Sequence, residues 1–318
     1  MKRQNTSPKT SFFSWRRAGV LALCLVFLYV LVPQIKGLSA SLHSLTHAHV
    51  SYVFGGIGIT SITFLVAAVM YQLLSKHRLH YARTLLVQAA SGFSNRLLPA
   101  GLGGMGLIAQ YLRTQQHTTA EAVSVVGMDD FIGIIGHFGL FGVVIVFANV
   151  SFIGLHPTYD VQSLAIALFV LALCIGGLLT IGELRPRIIR GTRHVIDEFL
   201  DYRQHPWRLV LALGDSLLLT FLYVSVLWCS ARALGIDLSF ARILVIFTAG
   251  SAVGTATPTP GGLIGTEAGL FAGFLGYGVS GSPALAAALL YRLLTYWLPI
   301  IPGVLAFIVV QRRLRLFR

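Results

Sequence analysis

Residues 258–267 read Pro-Thr-Pro-Gly-Gly-Leu-Ile-Gly-Thr-Glu and interrupt an apolar segment that extends from residue 240 to residue 279. Proline removes a backbone donor and glycine favours tight turns, so this stretch is expected to break a helix. Hydrocarbon cannot satisfy the backbone groups that such a break frees, so the break must lie within protein or beside a wet cavity. A second apolar segment, residues 81–113, is broken in the same way by Pro-Ala-Gly-Leu-Gly-Gly at residues 99–104. We expect each segment to form a broken, re-entrant helix pair.

The composition of the whole chain indicates a membrane protein. Of 318 residues, 55 % are hydrophobic and only 11 % are charged, whereas soluble domains carry about 25 % charged residues. This composition excludes a large soluble enzyme domain and a disordered chain. The formal net charge is +13, and on so apolar a chain it favours anchoring to anionic lipid at the cytoplasmic face over binding to nucleic acid.

Six apolar runs with few or no charged residues are candidates for full crossings of a bilayer, which needs a helix of roughly 18 or more apolar residues. They lie at about residues 18–33, 50–75, 131–150, 161–182, 209–229 and 284–310. We therefore predict an all-α polytopic integral membrane protein with six full transmembrane helices and two broken re-entrant pairs. The basic start followed by a short apolar run also fits a cleaved signal peptide, but further apolar runs follow at once.

The distribution of positive charge predicts the orientation. With this layout, 20 of the 24 Lys and Arg residues lie on the cytoplasmic side, as the positive-inside rule requires. Both termini are then cytoplasmic, and the expected location is the plasma (bacterial inner) membrane. The predicted organisation is a basic N-terminus (1–17), a single transmembrane domain (18–311) and a basic tail (312–318). Eight full crossings would also place both termini in the cytoplasm.

The order of the segments predicts an inverted repeat. The half comprising residues 18–150 and the half comprising residues 161–311 each contain two crossings, a broken pair and one more crossing, in opposite orientations. Broken segments at corresponding places in inverted halves are the best pointer in a sequence to the binding site of a transporter.

Two ionisable residues lie beside the second break or within a predicted crossing. Glu267 begins the half-helix after the break, where a carboxylate also suits a helix N-terminus. Arg292 lies inside the last crossing, where an arginine needs an anionic partner. An ion pair between them would either hold helices together or take part in substrate contact, and one arginine can do both.

Other polar residues are candidates of the same kind. Asp129 and Asp130 stand at the start of the third predicted crossing, and Asp129 shares a helix face with His137, which permits a proton relay or simple packing. Arg96, next to the first break, could attract a lipid phosphate or extend to the aqueous interface. The predicted substrate-binding residues are Asn95, Arg96, Asp129, Asp130, Pro258, Gly261, Gly262, Glu267, Tyr291 and Arg292.

The sequence contains none of the catalytic motifs that we sought. HExxH, GxSxG, Walker A and CxxC are absent, and Gly-Leu-Gly-Gly-Met-Gly at residues 101–106 lacks the preceding strand of a dinucleotide site. The three cysteines lie in apolar runs and are interpreted as packed thiols. We predict no catalytic residue, no metal and no cofactor, and hence a protein that is not an enzyme.

The two breaks carry a resemblance to a known family. Residues 258–267, together with Ala-Ala-Leu-Leu-Tyr-Arg-Leu-Leu-Thr-Tyr-Trp-Leu-Pro at residues 287–299, resemble the lysylphosphatidylglycerol synthase transmembrane family, and residues 95–104 resemble its first Pro/Gly segment. The resemblance implies a flippase-like membrane protein. In bifunctional members this region is thought to move aminoacylated phosphatidylglycerol between leaflets, while a separate soluble domain makes that lipid. No such domain follows in this sequence, so we expect no synthase activity.

The expected function is translocation of an anionic or amphiphilic phospholipid, or of a lipid-linked substrate, between membrane leaflets. An ion-coupled secondary transporter of a small polar solute could be built from the same repeat. A non-catalytic membrane subunit of a lipid-modifying synthase is the third interpretation, and a membrane-embedded transferase is the fourth. The expected partners are anionic membrane lipids, with a partner synthase and a second copy of the chain as further candidates, and no nucleic acid.

Overall fold

A computed structural model describes residues 48–97, 102–147, 206–257 and 259–316. These residues form helices and turns and contain no strand, which confirms the all-α prediction for the described part of the chain. The helices are α1 (Val50–Leu74), α2 (Tyr81–Leu97), α3 (Leu102–Thr114), α4 (Thr119–Phe147), α5 (Pro206–Ala233), α6 (Phe240–Ala256), α7 (Gly265–Gly276), α8 (Gly281–Arg292) and α9 (Ile300–Leu316). A 3₁₀ turn spans Pro260–Gly262, and a π-helical segment spans Leu293–Trp297.

Three of the described helices are long and apolar enough to cross a membrane. They are α1, α5 and a continuous helix over Gly281–Arg312 that joins α8, the π-helical segment and most of α9. They coincide with the predicted crossings at residues 50–75, 209–229 and 284–310. The predicted crossings at residues 18–33 and 161–182 lie outside the described residues.

Helix α4 begins well before the predicted crossing at residues 131–150. A capping box explains the early start: the Glu121 backbone N–H donates to Thr118 Oγ1 (3.2 Å), and the Thr118 backbone N–H donates to Glu121 Oε2 (2.8 Å). Such reciprocal bonds satisfy donors that a helix start leaves unpaired. As a result, Asp129 and Asp130 lie in the middle of α4.

The second broken segment folds as an antiparallel hairpin of α6 and α7. Gly269 packs against Gly250, and Gly273 packs against Ile246, so the contacts run in opposite directions along the two helices. A Cβ on Gly269 would lie 2.8 Å from the Cα of Gly250. The GxxxG motifs that begin at Gly250 and Gly269 therefore allow the two backbones to approach closely.

The first broken segment also forms a helix pair, α2 and α3. The Thr84 hydroxyl bonds the Tyr111 hydroxyl at 3.1 Å, and near the break Gly103 packs against the backbone of Ser94. These two contacts again run in opposite directions along the helices, so α2 and α3 are antiparallel. The break itself, residues 98–101, lies outside the described residues.

The helices pack around two clusters of buried apolar side chains. One, which includes Phe274, joins α5 to α6, α7 and α8. The other, which includes Leu112, joins α1, α2, α3 and α4 to α9. Because the last helix packs on the first broken pair, the Pro260–Gly262 turn comes into contact with α2. Packing between distant parts of the chain thus places the second break against the helix that leads into the first.

Candidate functional site

A buried ion pair lies at the end of the second break. Arg292, the last residue of α8, donates from Nε to Glu267 Oε1 over 2.7 Å, and the two side chains are only 9 % and 8 % exposed. Glu267 lies in the first turn of α7, where the helix dipole also favours a carboxylate. A buried charge is tolerated only when it is paired. The ion pair expected from the sequence is therefore present.

Arg292 also donates a hydrogen bond to a backbone carbonyl group of the second break. Its Nη2 donates to the carbonyl oxygen of Gly261 over 3.0 Å. Gly261 and Gly262 have φ values of 62° and 63°, a region that residues with a side chain rarely adopt. A Cβ on Gly261 would also overlap the ring of Tyr296. The second break is thus a glycine turn whose freed carbonyl accepts a hydrogen bond from Arg292, the kind of partner that a break inside a membrane would need.

Arg96 of α2 contacts the ring of Tyr296, which Arg292 also contacts. Its guanidinium carbon lies 4.9 Å from the centroid of the Tyr296 ring, and that of Arg292 lies 4.4 Å from it. Arg96 Nη2 donates to the carbonyl oxygen of Thr295 over 3.0 Å, and Nη1 donates to the carbonyl oxygen of Gly92. Arg96 therefore points into the protein instead of extending to an aqueous interface.

Tyr296 was not among the residues predicted from the sequence, although its ring contacts both Arg96 of α2 and the Gly261 turn. It follows Arg292 by four positions, so the two residues share a helix face. It also lies in a π-helical segment, a distortion that is frequent at functional sites. The four-residue spacing was the available signal, but the contact with Arg96 depends on helix packing.

A cavity of about 270 Å³ lies beside the ion pair, between α5, α6, α7, α8 and the glycine turn. Four predicted site residues line it: Gly261, Gly262, Tyr291 and Arg292. Residues that were not predicted add aromatic rings and hydroxyl groups to its walls, namely Tyr223, Phe247, Ser251, Thr255 and Thr266. Arg292 Nη1 makes no hydrogen bond to any residue that the structure describes. Arg292 can therefore donate to an anion in the cavity while Glu267 and Gly261 hold the rest of the guanidinium.

The remaining predicted residues have other surroundings. Asn95 Oδ1 accepts a hydrogen bond from the Gly104 backbone N–H over 2.6 Å, and so it ties the two helices of the first pair together. Pro258 lies outside the described residues. Within those residues, the buried Oε2 of Glu267 has no hydrogen-bond partner.

Asp129 and Asp130 belong to a separate polar cluster and are not among the described residues that line the cavity. Tyr71 of α1 donates a hydrogen bond to Asp129, and Asp130 is exposed. Asp215 of α5 has a buried Oδ2 without a hydrogen-bond partner in the described part of the chain. His137, which was predicted to share a helix face with Asp129, contacts α6 instead. Its Nε2 forms a hydrogen bond with Ser251 Oγ at 3.1 Å.

No group of three or more His, Cys, Asp or Glu side chains that could hold a metal ion occurs within residues 48–97, 102–147, 206–257 and 259–316. Cys229, the one cysteine in these ranges, is a buried free thiol.

Comparison with known proteins agrees with the geometry. No match to an individually curated protein was found. The family described as "Lysylphosphatidylglycerol synthase TM region" matches residues 17–303, a span that contains both breaks, the ion pair and the cavity. The chain therefore belongs to the lysylphosphatidylglycerol synthase transmembrane-region family.

Proposed function

We propose that this protein moves an anionic phospholipid, or a lipid-linked phosphate, between the leaflets of the membrane. Its family ties it to a role with membrane lipids. The observation that carries the proposal is Arg292, a guanidinium held on two sides by Glu267 and Gly261 beside a cavity. An arginine within a membrane, whose Nη1 has no hydrogen-bond partner among the described residues, is suited to receive a phosphate.

The charge balance of the site supports an anionic substrate. Glu267 neutralises Arg292, whereas Arg96 has carbonyl oxygens and the Tyr296 ring as its partners and no carboxylate among the described residues. The cluster therefore carries about one net positive charge when all three groups are ionised. In surroundings of low dielectric constant, such a charge attracts an anion strongly.

The proposal includes a topology. Six full crossings and two re-entrant pairs would form an inverted repeat in a bacterial inner membrane, with both termini in the cytoplasm. The two pairs would then enter from opposite faces and meet near the midplane. Support comes from the contact between α2 and the Pro260–Gly262 turn and from the approach of Arg96 to Tyr296. In this scheme the protein binds and moves a lipid and catalyses no covalent change.

A translocation assay in vesicles tests the function. Purified protein is reconstituted with fluorescent phosphatidylglycerol, and the leaflet distribution is followed with a membrane-impermeant quencher. We expect Arg292→Gln to slow translocation about tenfold or more, because charge-assisted hydrogen bonds to the phosphate are lost. The control is Arg232→Gln, which removes an ion pair with Asp237 at the end of α5, where the two side chains are 31 % and 81 % exposed. Unchanged translocation by the Arg292 variant would overturn the proposal.

Ion-coupled transport of a small polar solute is a second candidate function. The observation that favours it is the group of carboxylates at Asp129, Asp130 and Asp215, which form no ion pair with a described basic residue. Carboxylates inside a membrane commonly mark proton or ion pathways. Solute uptake that depends on an imposed proton gradient, without lipid movement, would favour this candidate over lipid translocation.

A further inference from the structure

We propose that Arg96 positions the anion site: it supplies a hydrogen-bond donor that Pro299 removes from the last helix, and it thereby holds Tyr296 and Arg292 in place. This inference rests on the proposed function, because it concerns how the same site keeps its geometry. It gives Arg96 a positioning role, whereas the sequence predicted direct contact with the substrate.

Pro299 leaves a carbonyl group of the last helix without its usual donor. In an α-helix, each backbone N–H donates to the carbonyl oxygen four residues earlier. Residue 299 is proline and has no N–H, so it cannot donate to the carbonyl oxygen of Thr295. The π-helical segment Leu293–Trp297 lies directly before this point, and the Leu298 N–H donates five residues back, to the Leu293 carbonyl oxygen, over 2.9 Å. A carbonyl group that is freed in this way inside a membrane needs another donor.

Arg96 provides that donor from α2. Its Nη2 donates to the Thr295 carbonyl oxygen over 3.0 Å, while its Nη1 donates to the Gly92 carbonyl oxygen within α2. A guanidinium carries several donors in one fixed plane, so it can bridge two carbonyl groups with little freedom to move. Arg96 is not among the described residues that line the cavity. Its two terminal nitrogens therefore bind the backbone of two distant segments, which is the arrangement expected of a positioning residue.

Thr295 links this bond to the anion site. The next residue, Tyr296, packs its ring against the Gly261 turn, and the guanidinium carbon of Arg292 lies 4.4 Å from the ring centroid. A shift of one residue in helical register turns a side chain by about 100° around the helix axis. Without a donor for Thr295, the π-helical segment is expected to relax towards another register. Loss of the Arg96 bond should therefore move Tyr296 relative to Arg292 and weaken anion binding.

A double-mutant cycle on Arg96 and Pro299 tests the inference. The wild type, Arg96→Met, Pro299→Ala and the double variant are each titrated in detergent with dihexanoyl phosphatidylmethanol, an anionic phosphodiester without another charged group. Pro299→Ala restores an N–H four residues after Thr295. We expect Arg96→Met to weaken binding about tenfold or more in the wild-type background, and this loss to be about fivefold smaller in the Pro299→Ala background. The charge of Arg96 is removed in both backgrounds, so its electrostatic contribution cancels in the comparison.

Pro302→Ala is the matched control. Pro302 is a second proline of the same helix, and it removes the usual donor of the Leu298 carbonyl oxygen, which accepts a bond from the Ile301 N–H over 3.3 Å. The loss caused by Arg96→Met should therefore be the same in the Pro302→Ala background as in the wild type. Where Arg96→Met does not fold, Arg96→Lys replaces it, because lysine keeps the charge but not the planar set of donors. The loss is again expected to be smaller in the Pro299→Ala background.

The outcomes separate this inference from the proposed function. Equal losses of affinity in the wild-type and Pro299→Ala backgrounds overturn the positioning role and leave the proposed function intact. Coupling that is found only in the free energy of unfolding, and not in binding, also overturns it, because Arg96 would then stabilise the fold without positioning the site. A wild-type protein that binds no phosphatidylmethanol would overturn the proposed function, and this inference with it.

Discussion

Replacing Glu267 and Arg292 by methionine, singly and together, separates the structural role of their ion pair from its role in substrate contact. The two side chains are 8 % and 9 % exposed, and their charged atoms are 2.7 Å apart. Removing one partner leaves the other charge buried and uncompensated, which costs about 3–5 kcal/mol. Arg292→Met also loses the bond to the Gly261 carbonyl oxygen, worth about 1 kcal/mol.

The double variant Glu267→Met/Arg292→Met removes both charges at once. Replacing a buried pair by apolar side chains of similar size is often neutral or stabilising by about 1–4 kcal/mol. After loss of the Gly261 bond, we expect the double variant to lie between about 1 kcal/mol less stable and about 3 kcal/mol more stable than the wild type. Because the single variants are expected to cost about 3–5 and about 4–6 kcal/mol, the favourable coupling between the two sites should amount to about 6 kcal/mol or more.

Two assays on the same four proteins test this reasoning. Reversible unfolding in mixed micelles measures the free energies of unfolding, and the vesicle assay measures translocation. A stable double variant that does not translocate lipid assigns Arg292 to substrate contact. A stable double variant that translocates at the wild-type rate would reduce the pair to a structural role. Free energies that simply add would refute the argument from buried charge.

Three further predictions concern the turn, the loop before α4 and the start of that helix. Gly261→Ala should destabilise the protein by about 1–3 kcal/mol, because φ is +62° and the methyl group would overlap Tyr296. The control is Gly214→Ala within α5, where a Cβ meets open space; it should be neutral or stabilising in the same unfolding assay. Burial, and secondarily the neighbouring His77, lowers the pKa of His117 in the loop before α4. The unfolded imidazole, with its ordinary pKa of about 6.5, therefore binds more protons than the folded one. The contribution of His117 to the free energy of unfolding should be fully present above that pH and be lost as the pH decreases through the lowered pKa. Thermal unfolding at several pH values should show this loss of stability, and the loss should be smaller in His117→Gln. Thr118→Ala should cost about 1 kcal/mol through loss of the cap on α4, whereas an unchanged melting temperature would mean that the capping box contributes little.

Much of the fold could be predicted from local sequence patterns. The apolar runs predicted α1, α5 and the long helix that contains Arg292, because hydrophobic length is a property of one segment. The prolines and glycines predicted both breaks for the same reason. The capping-box spacing of Thr118 and Glu121 also indicates the early start of α4, whereas the uncharged run at residues 131–150 indicates a later one.

The candidate site was predicted in part. The pairing of Glu267 with Arg292 followed from the cost of an isolated charge in a membrane, a rule that needs no coordinates. The cavity wall did not follow, because Ser251, Thr255 and Thr266 are ordinary helix residues in the sequence. Their hydroxyl groups form a wall only because α6 and α7 pack closely through glycines.

Local sequence patterns were enough to indicate a helical membrane protein with two broken segments and a buried ion pair, because apolar length, Pro/Gly breaks and charge pairing act locally or through a single partner. The contact of both Arg96 and Arg292 with the ring of Tyr296, by contrast, arises from packing between distant helices. The bond from Arg96 to Thr295 joins residues 199 positions apart, and it depends on α9 packing against α2. Such a contact results from the summed packing of several helices, each of which has a similar apolar pattern, so no local pattern of residues could indicate it.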